Sequence, residues 1–309
     1  MSINKPSLVL HKDSLLSFKT KTLGMSEILN SLIGSGLFSV SFHDQPEPDT
    51  LRCERAQTIY LNNKKIYLDF WEYSQPTYSM EVLEANYDII IKLQKPEMDH
   101  DRFEEKCNRK NVLTGVTYEK RHELFDKVVP WTFFPSKMLH EYILGNKPLP
   151  RREKEIFGFF CGKPWHQRNK LRDKFKEEGI VDFIDSDQTW KSTTTLQKDD
   201  YLQLMINSKF GISLHGRMSH FTEAKNRREI DYMFLKKPLL MNYCPHYYDP
   251  LIDGHHYVSI NLNTDFKKLE DEYDWDKIAE NGYNWYMKNA SPYGVAESFM
   301  KIMKDRGLM

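Results

Sequence analysis

The chain reads as an α/β protein built from two Rossmann-like halves, and three observations predict this. Short apolar runs of strand length alternate with segments of helical periodicity over most of its 309 residues. A run rich in Pro, Gly and charge, GNKPLPRREKE at 145–155, interrupts that alternation near the middle as an interdomain linker does. In the second half, a strand, a Gly turn and a cation-bearing helix follow one another twice, over 156–175 and again from 210. The length suits two domains of roughly 150 residues or one large one. The expected division is 1–147, 148–290 and a terminal helix at 291–309 that crosses back to the first domain.

In the first half, SLVLH at 7–11 is an apolar strand, and 23–37 is a helix with Ser26 as its cap and Glu27 in its first turn. FSVSF at 38–42 alternates as a strand and ends at the polar turn His43-Asp44-Gln45-Pro46. Two strands, 58–61 and 65–71, flank Asn62-Asn63, and the second runs into Asp69-Phe70-Trp71-Glu72-Tyr73. A short helix at 79–85, a buried strand at 87–93, and strands at 111–116 and 127–134 complete this half. Open α/β sheets bind ligands at the carboxyl ends of their strands. Asp44, Asp69 and Glu72 lie at such ends and are the candidate catalytic carboxylates, with surface turn carboxylates as the plain alternative.

In the second half, IFGFFC at 156–161 runs straight into Gly162-Lys163 and a helix that carries Arg168. A strand at 181–184 and an amphipathic helix at 199–207 precede the apolar strand 210–214, which ends at His215-Gly216-Arg217. Lys225, Arg227 and Arg228 precede or open the next helix, whose Ile230, Met233 and Phe234 share one face. Free N–H groups at a helix start and guanidinium forks together favour a phosphate. A solvated helix face is the alternative for each cation singly. Strands at 237–242 and 257–260 follow, the latter after the turn dipeptide Asp253-Gly254, and 265–270 and 275–288 are helical. Ser291-Pro292 opens a last helix running to 303.

The 44 basic and 44 acidic residues cancel, which argues against a nucleic-acid partner, since such proteins usually carry a basic excess. Cys53, Cys107, Cys161 and Cys244 show no metal-ligand spacing and read as reduced and structural. No apolar run approaches the ~20 residues of a membrane span, and MSINKPSLVLHKD lacks the core of a signal peptide. The expectation is a cytoplasmic, soluble protein, a monomer or weak dimer. No Walker lysine loop, nucleophile elbow or HExxH occurs; Asp185-Ser186-Asp187 keeps a metal-using alternative open.

Residues 211–241, then Tyr248-Asp249-Pro250-Leu251 and Gly254-His255-His256-Tyr257-Val258, resemble the donor-binding half of exostosin-like glycosyltransferases and of the related capsule-associated O-glucosyl/O-xylosyltransferases. The turn at Gly162 and the helix bearing Arg168 are similar to the opening of the same donor domain. The compact format is similar to exostosin-like transferases of large DNA viruses. The chain departs from the family at Lys236-Lys237, where a Gly usually precedes the strand, and at Glu229 after two arginines, so either Arg227 or Arg228 is the phosphate contact. The resemblance implies a GT-B-like fold, two Rossmann-like domains facing across a cleft, with a nucleotide-sugar donor in the second and a glycan acceptor in the first. It implies a UDP-sugar, UDP-xylose or UDP-glucose, and no required metal or cofactor.

Under that resemblance, cations at the Gly turns stabilise the charge that builds on the departing diphosphate. Arg168, Arg217, Arg227 and Arg228 are the candidates, with Lys163 and Lys225 behind them. Glu229 or Glu223 would accept hydrogen bonds from ribose or sugar hydroxyls, His215 would bond the sugar or a phosphate, and Tyr243 and Tyr248 would flank the base. A direct displacement needs a general base from the first half, and Asp44, Asp69 or Glu72 would supply it. If none does, a retaining route is the better account. A non-catalytic sugar-nucleotide or glycan-binding protein, or a phosphate-binding regulator of another α/β family, is the alternative.

Overall fold

The computed structural model describes residues 5–11, 25–43, 56–69, 85–92, 123, 126–132, 139, 142, 147–161, 166–178, 180, 183–186, 198–214, 227–243 and 247–309. The chain divides into two compact units, one of Met1–Phe134, His246–Tyr248 and Ser291–Met309, the other of Pro135–Pro245 and Asp249–Ala290. The run expected to be a linker lies within the second unit, fastened to a helix there: Glu153 N–H donates to Asn207 (3.1 Å) and Gln203 donates to the Arg151 carbonyl (3.0 Å).

The first unit holds a six-stranded sheet of order β2-β1-β3-β4-β5-β6. Its strands are β1 (Ser7–His11), β2 (Ser39–His43), β3 (Ala56–Leu61), β4 (Lys64–Asp69), β5 (Ile89–Lys92) and β6 (Val128–Pro130). Helix α1 (Met25–Gly34) joins β1 to its parallel neighbour β2, and β4, β5 and β6 are parallel to one another. The sheet is mixed, because β3 runs antiparallel to β1 and to β4. The reason is local: Asn62 and Asn63 both take left-handed φ, 48° and 66°, and make a two-residue hairpin where a parallel crossover needs about a dozen residues.

The pleat sorts this sheet into two unlike faces. Leu8, Leu10, Ile59, Leu61, Ile66, Leu68, Ile89, Ile91 and Val129 share one face by register and are all buried. Trp131, two residues on from Val129, falls on that face too, where its indole donates to Ser298 (3.0 Å) and its ring lies 5.5 Å from Phe299. Both partners belong to the last helix, α7 below, which also packs on α1.

The second unit holds a parallel five-stranded sheet of order β11-β10-β9-β7-β8. Its elements are β7 (Ile156–Cys161), α2 (His166–Glu177), β8 (Phe183–Ser186), α3 (Lys198–Asn207), β9 (Ser208–Ser213), α4 (Arg227–Phe234), β10 (Leu239–Met241), β11 (Val258–Ser259), α5 (Leu269–Glu272) and α6 (Trp275–Asn289). Counted within the unit from the β8 edge, the order is second, first, third, fourth, fifth, a doubly wound pattern compatible with Rossmann-like folds. Phe160, Leu171, Phe175, Phe210, Ile212, Phe266 and Ile278 form its main core, Phe175 stacked on Phe266 at 4.1 Å. Asp274 caps α6 by accepting from Lys277 N–H (3.1 Å). Helix α7 (Pro292–Asp305) returns to the first unit, started by Pro292 and by Ser291, whose hydroxyl accepts from Gly294 N–H at 3.0 Å. Among the described residues no helix is long and apolar enough to cross a membrane.

Candidate functional site

In a doubly wound sheet the strand order reverses at one place, and the chain leaves the two strands there in opposite directions, which opens a crevice at their carboxyl ends. Here that place lies between β7 and β9. The two Gly turns singled out in the sequence follow these two strands directly.

Packing fixes α4 over this point. Gly211 of β9 has no side chain, and the ring of Tyr232 fills the space: a Cβ at 211 would stand 2.4 Å from Tyr232 Cγ. The Tyr232 hydroxyl then donates to the Phe159 carbonyl of β7 at 2.9 Å, so one side chain fastens α4 to both strands. Ile230 and Met233 are buried beside it, as their spacing predicts. Arg228 and Glu229 lie one turn earlier, toward the carboxyl ends.

The Arg228 guanidinium carbon lies 4.8 Å from the centre of the buried Phe160 ring of β7, and its Nε faces the Tyr201 hydroxyl at 3.5 Å. The aromatic face attracts the cation, and its Nη1 is buried. Glu229 is fully buried and accepts a short hydrogen bond from the Tyr243 hydroxyl. Because Tyr243 donates there, the Ser213 hydroxyl 2.9 Å away donates to Tyr243. Burial, then the Glu229 charge and hydrogen bond, hold the Tyr243 phenol well above the usual tyrosine range, so it stays a donor. Ser213 ends β9, Tyr243 follows β10 and Glu229 opens α4, so three elements meet in one polar chain.

Of the donor-side candidates, Arg228 and Glu229 are thus brought together. Arg168 and Arg227 fall within α2 and α4, but their side chains lie outside the described residues, as do Gly162, Lys163, His215, Gly216, Arg217 and Lys225 entirely. His256 accepts from Ile252 N–H at 2.9 Å and His255 lies beside Asn281 (3.2 Å), so both rings serve the turn that Asp253 also holds by accepting from Gly254 and Ser259 N–H. The Tyr248 hydroxyl donates to Asp305 of α7 at 2.7 Å.

On the other unit, Asp44 and Glu72 lie outside the described residues. Asp69 ends β4, is fully buried, and accepts from Lys92 Nζ at 2.9 Å, with Lys92 itself buried at the end of β5. An exposed turn carboxylate is therefore ruled out for Asp69. Lys92, Ser213 and Tyr201 were not foreseen as site residues. Parallel pairing of β4 and β5 sets Asp69 opposite Lys92, and a strand register of this kind leaves no mark in local sequence.

No protein-family model matches the chain, and no curated protein matches it.

Proposed function

We propose that the chain is a glycosyltransferase of the GT-B type that moves a sugar from a nucleotide-diphosphate sugar, a UDP-sugar, to a hydroxyl of a glycan acceptor. The observation that carries this reading is the half-buried Arg228 guanidinium, held over Phe160 at 4.8 Å beside the strand-order reversal of a parallel sheet. A fixed guanidinium in a water-poor setting stabilises charge on a departing diphosphate without reorganising. Glu229, with Tyr243 and Ser213, supplies the hydrogen-bonding groups for hydroxyls of the same ligand. The family resemblance of residues 211–258 supplies the sugar-nucleotide class, with xylose or glucose as the donor sugar. Transfer needs no metal in this reading, and Asp69 is the one candidate base among the described residues.

The test is calorimetric titration of UDP, GDP and ADP, followed by a panel of UDP-sugars assayed for free UDP with and without EDTA. UDP binds, UDP is released from one sugar nucleotide, and EDTA leaves the rate unchanged. Arg228→Ala weakens UDP binding about 10- to 100-fold, the worth of one charge-assisted hydrogen bond. The reading fails if no nucleotide binds. The closed Asp69–Lys92 pair favours a second reading, a non-catalytic sugar-nucleotide-binding protein, and UDP binding with no release from any donor would select it.

A further inference from the structure

We propose that β2 is a self-association edge, along which two copies of the chain pair antiparallel about a two-fold axis at Ser41. An open sheet has two end strands whose outer N–H and C=O groups face away from the ladder, and natural proteins usually blunt them. One end of this sheet is blunted: β6 is three buried residues closing on Pro130. The β2 end is not. Its five residues, SVSFH, hold no Pro, and from Ile28 to His43 the sequence has no Lys, Arg, Asp or Glu. Among the described residues β2 pairs with β1 alone, and Ser39, Ser41, Phe42 and His43 are all exposed, so both faces of the strand are open.

The direction of its backbone follows from one bond. Ser39 N–H donates to the Pro6 carbonyl at 2.9 Å, and along a strand the N–H and C=O of successive residues point to alternate sides. Ser39, Ser41 and His43 therefore serve β1, while Val40 and Phe42 aim both backbone groups outward. Register with Leu8 and Leu10 of β1 puts the Val40 and Phe42 side chains on the aliphatic face. Leu8 and Leu10 are fully buried there, but Phe42 is 39% exposed, so the apolar face runs past its cover at this edge.

The occupant is a second copy because the strand reads the same from either end: polar, apolar, polar, apolar, polar. With Ser41 opposite Ser41 of the second copy, Val40 falls opposite Phe42 in both directions, and these are the residues whose backbone groups face outward. They exchange N–H···O=C bonds, and on the aliphatic side a β-branched chain meets an aromatic ring, a favourable cross-strand pair. The other side sets Ser41 against Ser41 and Ser39 against His43, all polar. A slip of one residue would oppose outward groups to groups turned toward β1, so the register is specified. Like charges brought together by a two-fold axis repel, and this strand carries none of the permanent charges that would do so. Two short strands bury less than the roughly 1,200 Å² of a standard interface, so the dimer is transient, with Kd on the order of 10–100 μM.

The experiment is sedimentation equilibrium of the full chain from about 1 to 500 μM, at low and high salt, for wild type, Val40→Pro and Phe42→Lys. Wild type passes reversibly from monomer to dimer, with a midpoint that salt leaves in place. Val40→Pro removes an outward N–H and spares every bond to β1; Phe42→Lys puts a charge into the aliphatic seam. Each weakens the dimer at least about 10-fold, with melting temperature within a few degrees of wild type. Register is read by Ser41→Cys, which meets its own counterpart at about the Cα separation a disulfide needs. In mild oxidant it forms a reducible dimer at least about 10-fold faster than Ser39→Cys, equally exposed but facing His43, and than wild type with its own cysteines. Wild type that stays monomeric across the range overturns the proposal, as does a dimer that neither Val40→Pro nor Phe42→Lys weakens, since the contact then lies elsewhere. Equal cross-linking of Ser39→Cys and Ser41→Cys overturns the two-fold register.

Discussion

A single hydrogen atom at position 211 decides where α4 lies. The Tyr232 side chain occupies what would be the side-chain space of residue 211, its Cγ 2.4 Å, Cβ 2.7 Å and Cδ1 2.8 Å from a would-be Cβ. Gly211→Ala therefore overpacks, with a cost of about 1–3 kcal/mol, and it lifts Arg228 off Phe160. Urea denaturation checks the first effect and UDP titration the second; Tyr232→Phe, which keeps the ring and deletes the bond to Phe159, costs only about 1 kcal/mol. His256 carries a pH dependence of the same local kind. Burial first, then neighbouring His255, lower its pKa from 6.5 to about 4. Between those values the unfolded chain binds the proton and the folded chain does not, so stability falls as pH drops from 6.5 toward 4 and is unaffected above. After allowance for solvent around a partly exposed ring, the loss is on the order of 1–2 kcal/mol. Melting temperature against pH checks it, and His256→Asn flattens that window.

At the scale of the element, the end of α4 shows how a lysine is accommodated where a helix ending favours glycine. Lys237 N–H reaches the Tyr232 carbonyl at 3.0 Å and Lys236 N–H the Met233 carbonyl at 3.1 Å, the paired bonds of a Schellman ending. That ending wants a left-handed residue, usually Gly, and Lys236 takes φ 51° in its place. The side chain offsets part of the strain through Glu280 at 2.9 Å and the Tyr283 ring at 4.3 Å. Lys236→Gly is thus neutral to about 1 kcal/mol stabilising, whereas Lys236→Ala, which keeps the Cβ and loses both contacts, is about 1 kcal/mol worse than Gly. Midpoints of urea denaturation separate the two. Elements of this sort were legible from sequence where local chemistry decides them. The strands at 7–11 and 156–161, the start of α6 at Trp275 and the Ser291-Pro292 opening of α7 stand where apolar runs and caps put them. Arg228 and Glu229 were legible for a like reason, being charges where a strand hands over to a helix. The antiparallel β3 is readable in the two-residue Asn62-Asn63 link, too short for a parallel crossover. The meeting of Asp69 with Lys92, and of Ser213 with Tyr243 and Glu229, was not legible, because residues 23 and 30 apart in sequence are joined only by sheet register and helix docking.

At the scale of the whole chain, the boundary after Ala290 is the one that matters, because the chain leaves the second unit there and returns to complete the first. Val295, Phe299, Ile302 and Met303 of α7 are all fully buried. They meet the first unit at Trp131, whose indole bonds Ser298 and whose ring lies against Phe299. Burying such side chains is worth about 1.5–3 kcal/mol each, so losing these four removes on the order of 6–12 kcal/mol. A typical domain has only about 5–15 kcal/mol in hand. A chain stopped after Ala290 should therefore fail in the first unit while the parallel sheet of the second keeps all its strands. Limited proteolysis reads this directly: fragments spanning the second unit survive and those from 1–134 are degraded, with the near-ultraviolet signal of Trp131 lost. A truncated chain whose first unit resists protease as wild type does would mean that α7 adds little to that core. Ser291→Ala makes the graded version of the same test. It removes the hydroxyl that accepts from Gly294 N–H at 3.0 Å, costs about 1 kcal/mol, and should raise the cleavage rate within the first unit before that within the second.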